Sequence, residues 1–305
     1  MIVYDSIEEG ICAIFGSDVT PIRMAPVHGG DINESRKIEL SNGRYVFAKL
    51  NTLENTGFFE AEEAGLNAIA DTGAIGTPKL LFRGADIKRG ISFLVMEFID
   101  RAPVAFDFWE DFGRSLAQMH KVDTAVITGK TASSENGKAF GFSTDNYIGA
   151  TQQINDWRDS WITFLRECRL EPQIKWADRY FDDSVRRKLG KLLDKLPEIL
   201  IEPEKPALLH GDLWSGNYIT GSDGRAWLID PAVYIGHPEA DIAMTELFGG
   251  FSGRFYGAYE EICPLAPGYS DRRNIYNLYH LLNHLNLFGG MYLMEVIETV
   301  ERYVQ

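Results

Sequence analysis

The sequence predicts an α+β protein with a small antiparallel sheet carrying one main helix, residues 1–99, and a larger, mostly helical region, residues 100–305. Three observations carry that prediction. The first hundred residues alternate short β-prone runs with turn dipeptides. Beyond residue 100, apolar residues recur at helical spacing. Within this helical region a single stretch, 208–232 (LLHGDLWSGNYITGSDGRAWLIDPA), returns to short strands and gathers polar side chains in its loops.

Residues 6–15 read as a short amphipathic helix with Ile7, Ile11, Ile14 and Phe15 on one side. A strand over 22–27 leads into His28-Gly29-Gly30-Asp31-Ile32-Asn33. Strands over 35–40 and 44–50 are joined by Ser41-Asn42-Gly43, and Asn-Gly is a strong hairpin signal. Residues 57–71 have helical spacing through Phe59, Leu66, Ile69 and Ala70. Runs over 78–83 and 91–96 complete a sheet of five antiparallel strands.

In the helical region, 107–121 is amphipathic, with Phe108, Phe112, Leu116 and Met119 along one face. Residues 122–150 are rich in Gly, Ser, Thr and Asn. So long a turn-rich segment is either functional or packed across the surface. Helices are expected over 155–168, 182–196, 238–248, 254–262, 272–288 and 291–303. The basic run Arg186, Arg187, Lys188, Lys191 and Lys195 reads as a solvated face, and Pro197, Pro203 and Pro206 punctuate the chain before 208.

Composition excludes several functions. The 305 residues are 45% hydrophobic and 24% charged, enough for two lobes with cores. The formal net charge of −14 and a pI of about 4.9 argue against nucleic acid or an anionic membrane as the main partner. No segment reaches 18 consecutive apolar residues, and MIVYDSIEEG has no basic region followed by an apolar one, so neither a membrane span nor a signal peptide is expected. Cys12, Cys168 and Cys263 are odd in number and far apart. They read as reduced thiols of a cytoplasmic protein rather than as zinc ligands or a disulfide framework.

The chemistry sits in 208–232. Tyr218-Ile219-Thr220 and Ala226-Trp227-Leu228-Ile229 are β-prone runs about the turn Gly221-Ser222-Asp223-Gly224, which brings Asp212, Asn217 and Asp230 to one end of a hairpin. That trio matches a phosphoryl-transfer template. One Asp takes the proton of the attacking hydroxyl, and an Asn five residues on together with a later Asp holds Mg²⁺. Gly211 stands where protein kinases carry Arg, and Asp230-Pro231-Ala232 where they carry Asp-Phe-Gly. ATP is polyanionic, so its charge needs a metal with oxygen ligands, and a weak alcohol nucleophile needs a carboxylate base. On the same template Val46-Phe47-Ala48-Lys49 places Lys49 on the nucleotide phosphates, paired with Glu60, Glu62 or Glu63. Gly29 and Gly30 let backbone amides approach those phosphates. Met96, Glu97, Phe98 and Ile99 form the linker whose backbone faces adenine. His280 and His284 are spaced i, i+4 without a Glu or Cys partner, so packing or a place in the substrate cleft fits them better than metal, and His284 is taken as the cleft candidate.

Longer motifs make the reading more specific. They are HGGDIN (28–33), FFEAEEAGL (58–66), GRSLAQMH (113–120), FGFSTDNYIGATQQIN (140–155), RLEPQ (169–173), LLHGDLWSGN (208–217), DPAVYIGHPEADIAMTELFGGF (230–251) and NLYHLLNHLNLFGG (277–290). Together they span nearly the whole chain, which resembles the fructosamine 3-kinase (ketosamine 3-kinase) family of the aminoglycoside-phosphotransferase-like superfamily. The resemblance implies a bilobal protein-kinase-like fold. It also implies ATP- and Mg²⁺-dependent phosphorylation of the sugar 3-hydroxyl of ketosamines, on small amines or protein lysines, which releases the amine. It makes Asp212 the base, Asn217 and Asp230 the Mg²⁺ ligands, Lys49 the phosphate lysine and Glu62 its partner. Asp241 becomes the acid bracing the catalytic loop, and Trp214 a stacking surface for the acceptor. Some relatives carry Cys where this chain has Asp31, so a thiol switch in that loop is not expected here. The competing readings are an aminoglycoside or choline phosphotransferase and a nucleotide-binding regulator without turnover.

Overall fold

The structure, a computed structural model, describes residues 3–27, 33–128 and 139–304. Gly29, Gly30 and Asp31 therefore lie outside the described residues.

The N-terminal lobe is a sheet with two helices. Its strands are β1 (Val3–Tyr4), β2 (Pro21–Pro26), β3 (Glu34–Leu40), β4 (Tyr45–Thr52), β5 (Leu80–Asp86) and β6 (Ile91–Glu97). They lie in the order β1-β5-β6-β4-β3-β2. Helix α1 (Ile7–Phe15) starts where Ser6 accepts from the Glu9 amide at 3.1 Å. The β3–β4 hairpin closes through Asn42-Gly43, with Gly43 at φ 80° and its amide 2.9 Å from the Leu40 carbonyl. Helix α2 (Thr56–Asp71) crosses the sheet, and Phe59 and Leu66 pack with Leu94 and Met96. The expected five antiparallel strands gain a sixth. Val3–Tyr4 pairs parallel with β5, with Val3 opposite Arg83 and Tyr4 opposite Gly84. Two residues carry no periodicity, so only the tertiary pairing defines that strand.

The C-terminal lobe packs helices around one large core. They are α3 (Phe108–Lys121), α4 (Thr124–Thr128), α5 (Trp161–Leu165), α6 (Glu171–Ala177), α7 (Asp183–Ile199), α8 (Glu239–Leu247), α9 (Gly253–Glu260), α10 (Tyr269–Phe288) and α11 (Leu293–Val304). Three small strand pairs decorate them: β7 (Asn146–Ile148) with β8 (Thr151–Gln153), β9 (Ala207–Leu209) with β12 (Tyr234–Gly236), and β10 (Tyr218–Thr220) with β11 (Ala226–Leu228). Helix over 155–168 is not what forms. The chain stays irregular to Ser160, which caps α5, while Glu202 accepts from the Trp161 amide at 2.7 Å. The helical path then widens into a π turn over Arg166–Leu170 and continues as α6. Pro172, with no N–H to return to a preceding carbonyl, lies just past that turn. Among its described residues, the turn-rich 122–150 segment holds α4 and β7, the first strand of the β7–β8 hairpin.

Candidate active site

The loop after β9 is fixed from below by α8. Asp241, buried, accepts from the His210 amide at 2.7 Å and the Gly211 amide at 2.8 Å. His120 Nε2 lies 3.2 Å from the same carboxylate, and the other nitrogen of that ring lies 2.7 Å from the Tyr259 hydroxyl. Burial alone would raise the Asp241 pKa, but His120, His210 and the Gly211 amide together hold it low. The His210 ring spans the loop, with Nε2 donating to the Ile229 carbonyl at 3.0 Å and Nδ1 accepting from the Asp212 amide at 3.3 Å. Gly211 has φ 80°, and a Cβ there would stand 2.0 Å from the Ala232 carbonyl oxygen. This explains glycine at a position where protein kinases carry a side chain.

Asp212 faces the cleft. Asn217 donates from Nδ2 to the Asp212 carbonyl at 2.8 Å and to its Oδ2 at 3.0 Å. Burial pushes the Asp212 carboxyl up to about 7 against that hydrogen bond, and the neighbouring charges of Asp230 and Asp241 push the same way. Asp230 ends the run after β11 at φ 54°, the one non-glycine residue with positive φ among those described. Aspartate tolerates that conformation better than most residues, and such backbone outliers concentrate at functional sites.

Lys49 projects from β4, where it pairs with Leu94 and Ser35 across the sheet. Its Nζ donates to Glu62 Oε1 at 2.5 Å and also contacts Asp230 Oδ1. Burial would lower the Lys49 pKa, but the Asp230 and Glu62 charges outweigh it and hold the ammonium above its ordinary range. Glu60 and Glu63 are engaged elsewhere, on Arg83, at 2.9 Å and 2.7 Å. The α2 register thus offers Glu62 to the lysine.

Lys49, Glu62, Asp212, Asn217 and Asp230 line a cleft of about 950 Å³. Asn146, Tyr147, Trp214, Phe248, Asn283 and His284 line it as well. The His284 ring stacks on Phe248 at 4.9 Å with the planes 10° apart, and Tyr292 meets it edge-on at 5.0 Å. Burial pushes the His284 pKa down. His280, buried beside it, is pushed down to about 3 by burial and by His284. Trp214 stays 39% exposed at the mouth, its ring edge toward Phe248.

The structure thus brings Lys49, Glu62, Asp212, Asn217, Asp230, Trp214 and His284 to one cleft, with Asp241 beneath the loop. It does not bring Met96, Glu97, Phe98 and Ile99 to the cleft lining. Met96 is buried with Phe59, the Glu97 amide donates to the Lys79 carbonyl at 2.9 Å, and Lys37 sits 3.9 Å over the Phe98 ring. The sequence alone assigns no role to His120, Tyr147 or Phe248. All three sit inside longer motifs, at 113–120, 140–155 and 230–251.

Among the described residues no group of three or more His, Cys, Asp or Glu side chains is placed to hold a metal. The oxygens of Asp212, Asn217 and Asp230 are nevertheless hard donors of the kind Mg²⁺ takes. Asp230 also raises the pKa of Asp212, a like-charge strain that a cation would relieve.

Residues 3–305 match the family described as Fructosamine kinase. The chain is 40% identical over 283 residues to a probable ketoamine kinase of Synechocystis sp., covering 90% of this chain and 88% of that protein. It is 38% identical over 288 residues to the chloroplastic protein-ribulosamine 3-kinase of Arabidopsis thaliana, covering 93% and 83%. A crystal structure from Haemophilus somnus 129PT superposes with a TM-score of 0.83 at 28% identity, over 99% of this chain and 98% of that one.

Proposed function

The chain belongs to the fructosamine kinase family and has the bilobal, α+β, protein-kinase-like fold of those phosphotransferases, and on that premise we propose that it phosphorylates the sugar 3-hydroxyl of ketosamines with ATP. The observation that carries the acceptor class is the make-up of the cleft lining. Its carboxylates, among the described residues, are Glu62, Asp212 and Asp230, and two of them, Glu62 and Asp230, contact Lys49. The aromatic rings of Phe58, Tyr147, Trp214, Phe248, Phe288 and Tyr292 line it as well. Rings suit a polyhydroxylated chain ending in one amine, whereas a polycationic antibiotic calls for carboxylates beyond those engaged with the lysine and the base.

In this reading the 3-hydroxyl lies against Asp212, whose carboxylate takes its proton as the oxygen bonds to the γ-phosphorus. The bond from that phosphorus to the β,γ-bridging oxygen breaks, and ADP leaves with the electron pair. Lys49, fixed by Glu62, holds the phosphates. Asn217 and Asp230 would hold Mg²⁺, which when bound neutralises phosphate charge. Phosphate at C3 is a better leaving group than hydroxide, so the adduct loses a proton from C1 and expels phosphate from C3, and water then hydrolyses the resulting imine to release the amine. We take 1–99 and 100–305 as the two lobes, with the adenine edge at the 96–99 linker and the phosphates under Gly29 and Gly30. Among the described residues no helix is long and apolar enough to cross a membrane, and the three free thiols fit a cytoplasmic setting.

The test is ADP release from MgATP with ribulosyl-lysine, fructosyl-lysine, kanamycin and choline as separate acceptors. The ketosamines are expected to drive turnover. Turnover with kanamycin or choline alone overturns the acceptor and leaves the kinase.

A further inference from the structure

Helix α2 has to hold Glu62 on Lys49, yet its start is weakly made. A single turn, Leu53–Asn55, leads into it, and Asn55 makes no side-chain capping bond. The first amides of such a helix fray unless tertiary contacts fix them. Glu62 sits in the second turn, within reach of that fraying.

Residues 58, 62, 65 and 69 share one stripe of the helix. The far half of the stripe is anchored, because Gly65 lies so close to the segment after Asp230 that a Cβ would stand 3.1 Å from Pro231 and 3.4 Å from Val233. In the near half Phe59 packs in the sheet core and Glu60 pairs with Arg83, while the stripe itself makes one aromatic contact, to the β7–β8 hairpin. The Phe58 ring stacks on Tyr147 with centroids 3.9 Å apart and planes 17° apart. Phe58 is one turn before Glu62 on the same face.

Tyr147 belongs to the β7–β8 hairpin, and that hairpin is fastened to the segment that follows Asp230. Asn146 Nδ2 donates to the Val233 carbonyl at 2.7 Å, and Gln153 Nε2 donates to the Ala232 carbonyl at 3.0 Å. Gln153 also donates to Asn146 Oδ1 at 2.7 Å and accepts from the Tyr279 hydroxyl at 2.7 Å. Asn146 and Gln153 are both buried. The hairpin thus grips the segment following Asp230 with two amides, and the start of α2 with one ring.

We propose that the Phe58–Tyr147 stack is a positioning clamp for nucleotide binding. It holds the first turns of α2 so that Glu62 meets Lys49, and through Lys49 it sets the affinity for the nucleotide phosphates. This rests on the reading of Lys49 and Glu62 given above. Both rings also line the cleft, so direct contact with the acceptor is the competing explanation.

The experiment is calorimetric titration of the full chain with the Mg²⁺ complex of a non-hydrolysable ATP analogue, which needs no acceptor. Phe58→Leu and Tyr147→Leu are each expected to weaken binding about twofold to tenfold, the range of an aromatic pair. The double variant should be no weaker than the worse single variant, within about twofold, since one contact is lost in all three. Tyr147→Phe keeps the ring and should bind like wild type. In a Glu62→Gln background, Tyr147→Leu should have no further effect, a result that general loosening of the fold does not give. Wild-type nucleotide affinity in both single variants, or effects that multiply in the double variant, overturns the clamp. So does a raised KM for the ketosamine with nucleotide affinity unchanged. A wild-type protein that phosphorylates no ketosamine overturns the acceptor reading and leaves the titration result standing. Should either leucine variant fail to fold, Phe58→Tyr with Tyr147→Phe exchanges the hydroxyl between the stacked rings. The clamp then requires wild-type nucleotide affinity, and a loss beyond twofold overturns it.

Discussion

Asn217 donates its side-chain amide to Asp212 twice, at 2.8 Å to the carbonyl and 3.0 Å to the carboxylate. One residue thereby orients the base and keeps its own amide oxygen for another partner. Asp212→Asn removes the proton acceptor while changing little of the phosphate wall. Nucleotide binding should persist while turnover falls about 10²–10⁴-fold. Near-normal turnover in this variant contradicts the assignment of the base. Asp230→Asn should instead raise the Mg²⁺ concentration needed for half-maximal rate, and an unchanged requirement moves the metal elsewhere.

The Asp212 carboxyl also makes the metal-free protein pH-sensitive. Its pKa is about 7 when folded, against an ordinary carboxylate near 4 when unfolded. Between those values the folded state binds the extra proton, so this group makes stability fall as pH rises through that window and level off above 7. Asp212→Asn removes the effect. The variant should be more stable than wild type at pH 8 by about 1–3 kcal/mol, allowing for the water that still reaches the carboxyl, and the gap should close near pH 4. Denaturant melts of both proteins at the two pH values check this, and a gap independent of pH contradicts it.

Of the three acids Glu60, Glu62 and Glu63, Glu62 is the one that reaches Lys49, while Arg83 holds the other two. Lys49→Ala should raise the KM for ATP and lower kcat by removing a placed positive charge. Glu62→Gln should do the same more weakly, and Glu60→Gln and Glu63→Gln should leave steady-state kinetics near wild type. A larger defect in either of those two contradicts the register of α2.

Asp241 satisfies two buried amides of the catalytic loop. Asp241→Ala leaves both without an acceptor and should cost roughly 2–5 kcal/mol of stability. Urea unfolding measures it, and a loss under about 1 kcal/mol would mean that the loop finds another brace.

The sheet and the 208–232 hairpin were legible because their signals are local. Asn42-Gly43 and the Gly221–Gly224 turn set the strand pairs by their own backbone preferences. The parallel β1 strand was not legible, since two residues become a strand only beside Arg83 and Gly84. The start of α5 was misplaced for a similar reason. Its amides are met by Glu202, which lies 41 residues from Trp161 and which no window around 160 contains. The residue types of the site were legible from their spacing. Spacing could not choose among Glu60, Glu62 and Glu63, because Arg83 makes that choice in three dimensions. Nor could it give Tyr147 a role, because its partner Phe58 lies 89 residues earlier, on α2 of the N-terminal lobe.

Phosphorus NMR of the product formed from MgATP and ribulosyl-lysine tests the acceptor and its oxygen together. A phosphomonoester on the C3 oxygen is expected, disappearing as free lysine is released, with Asp212→Asn slowing its formation at least about a hundredfold. A phosphoryl group on any other oxygen, or no sugar phosphate while ATP is consumed with kanamycin or choline, would contradict it.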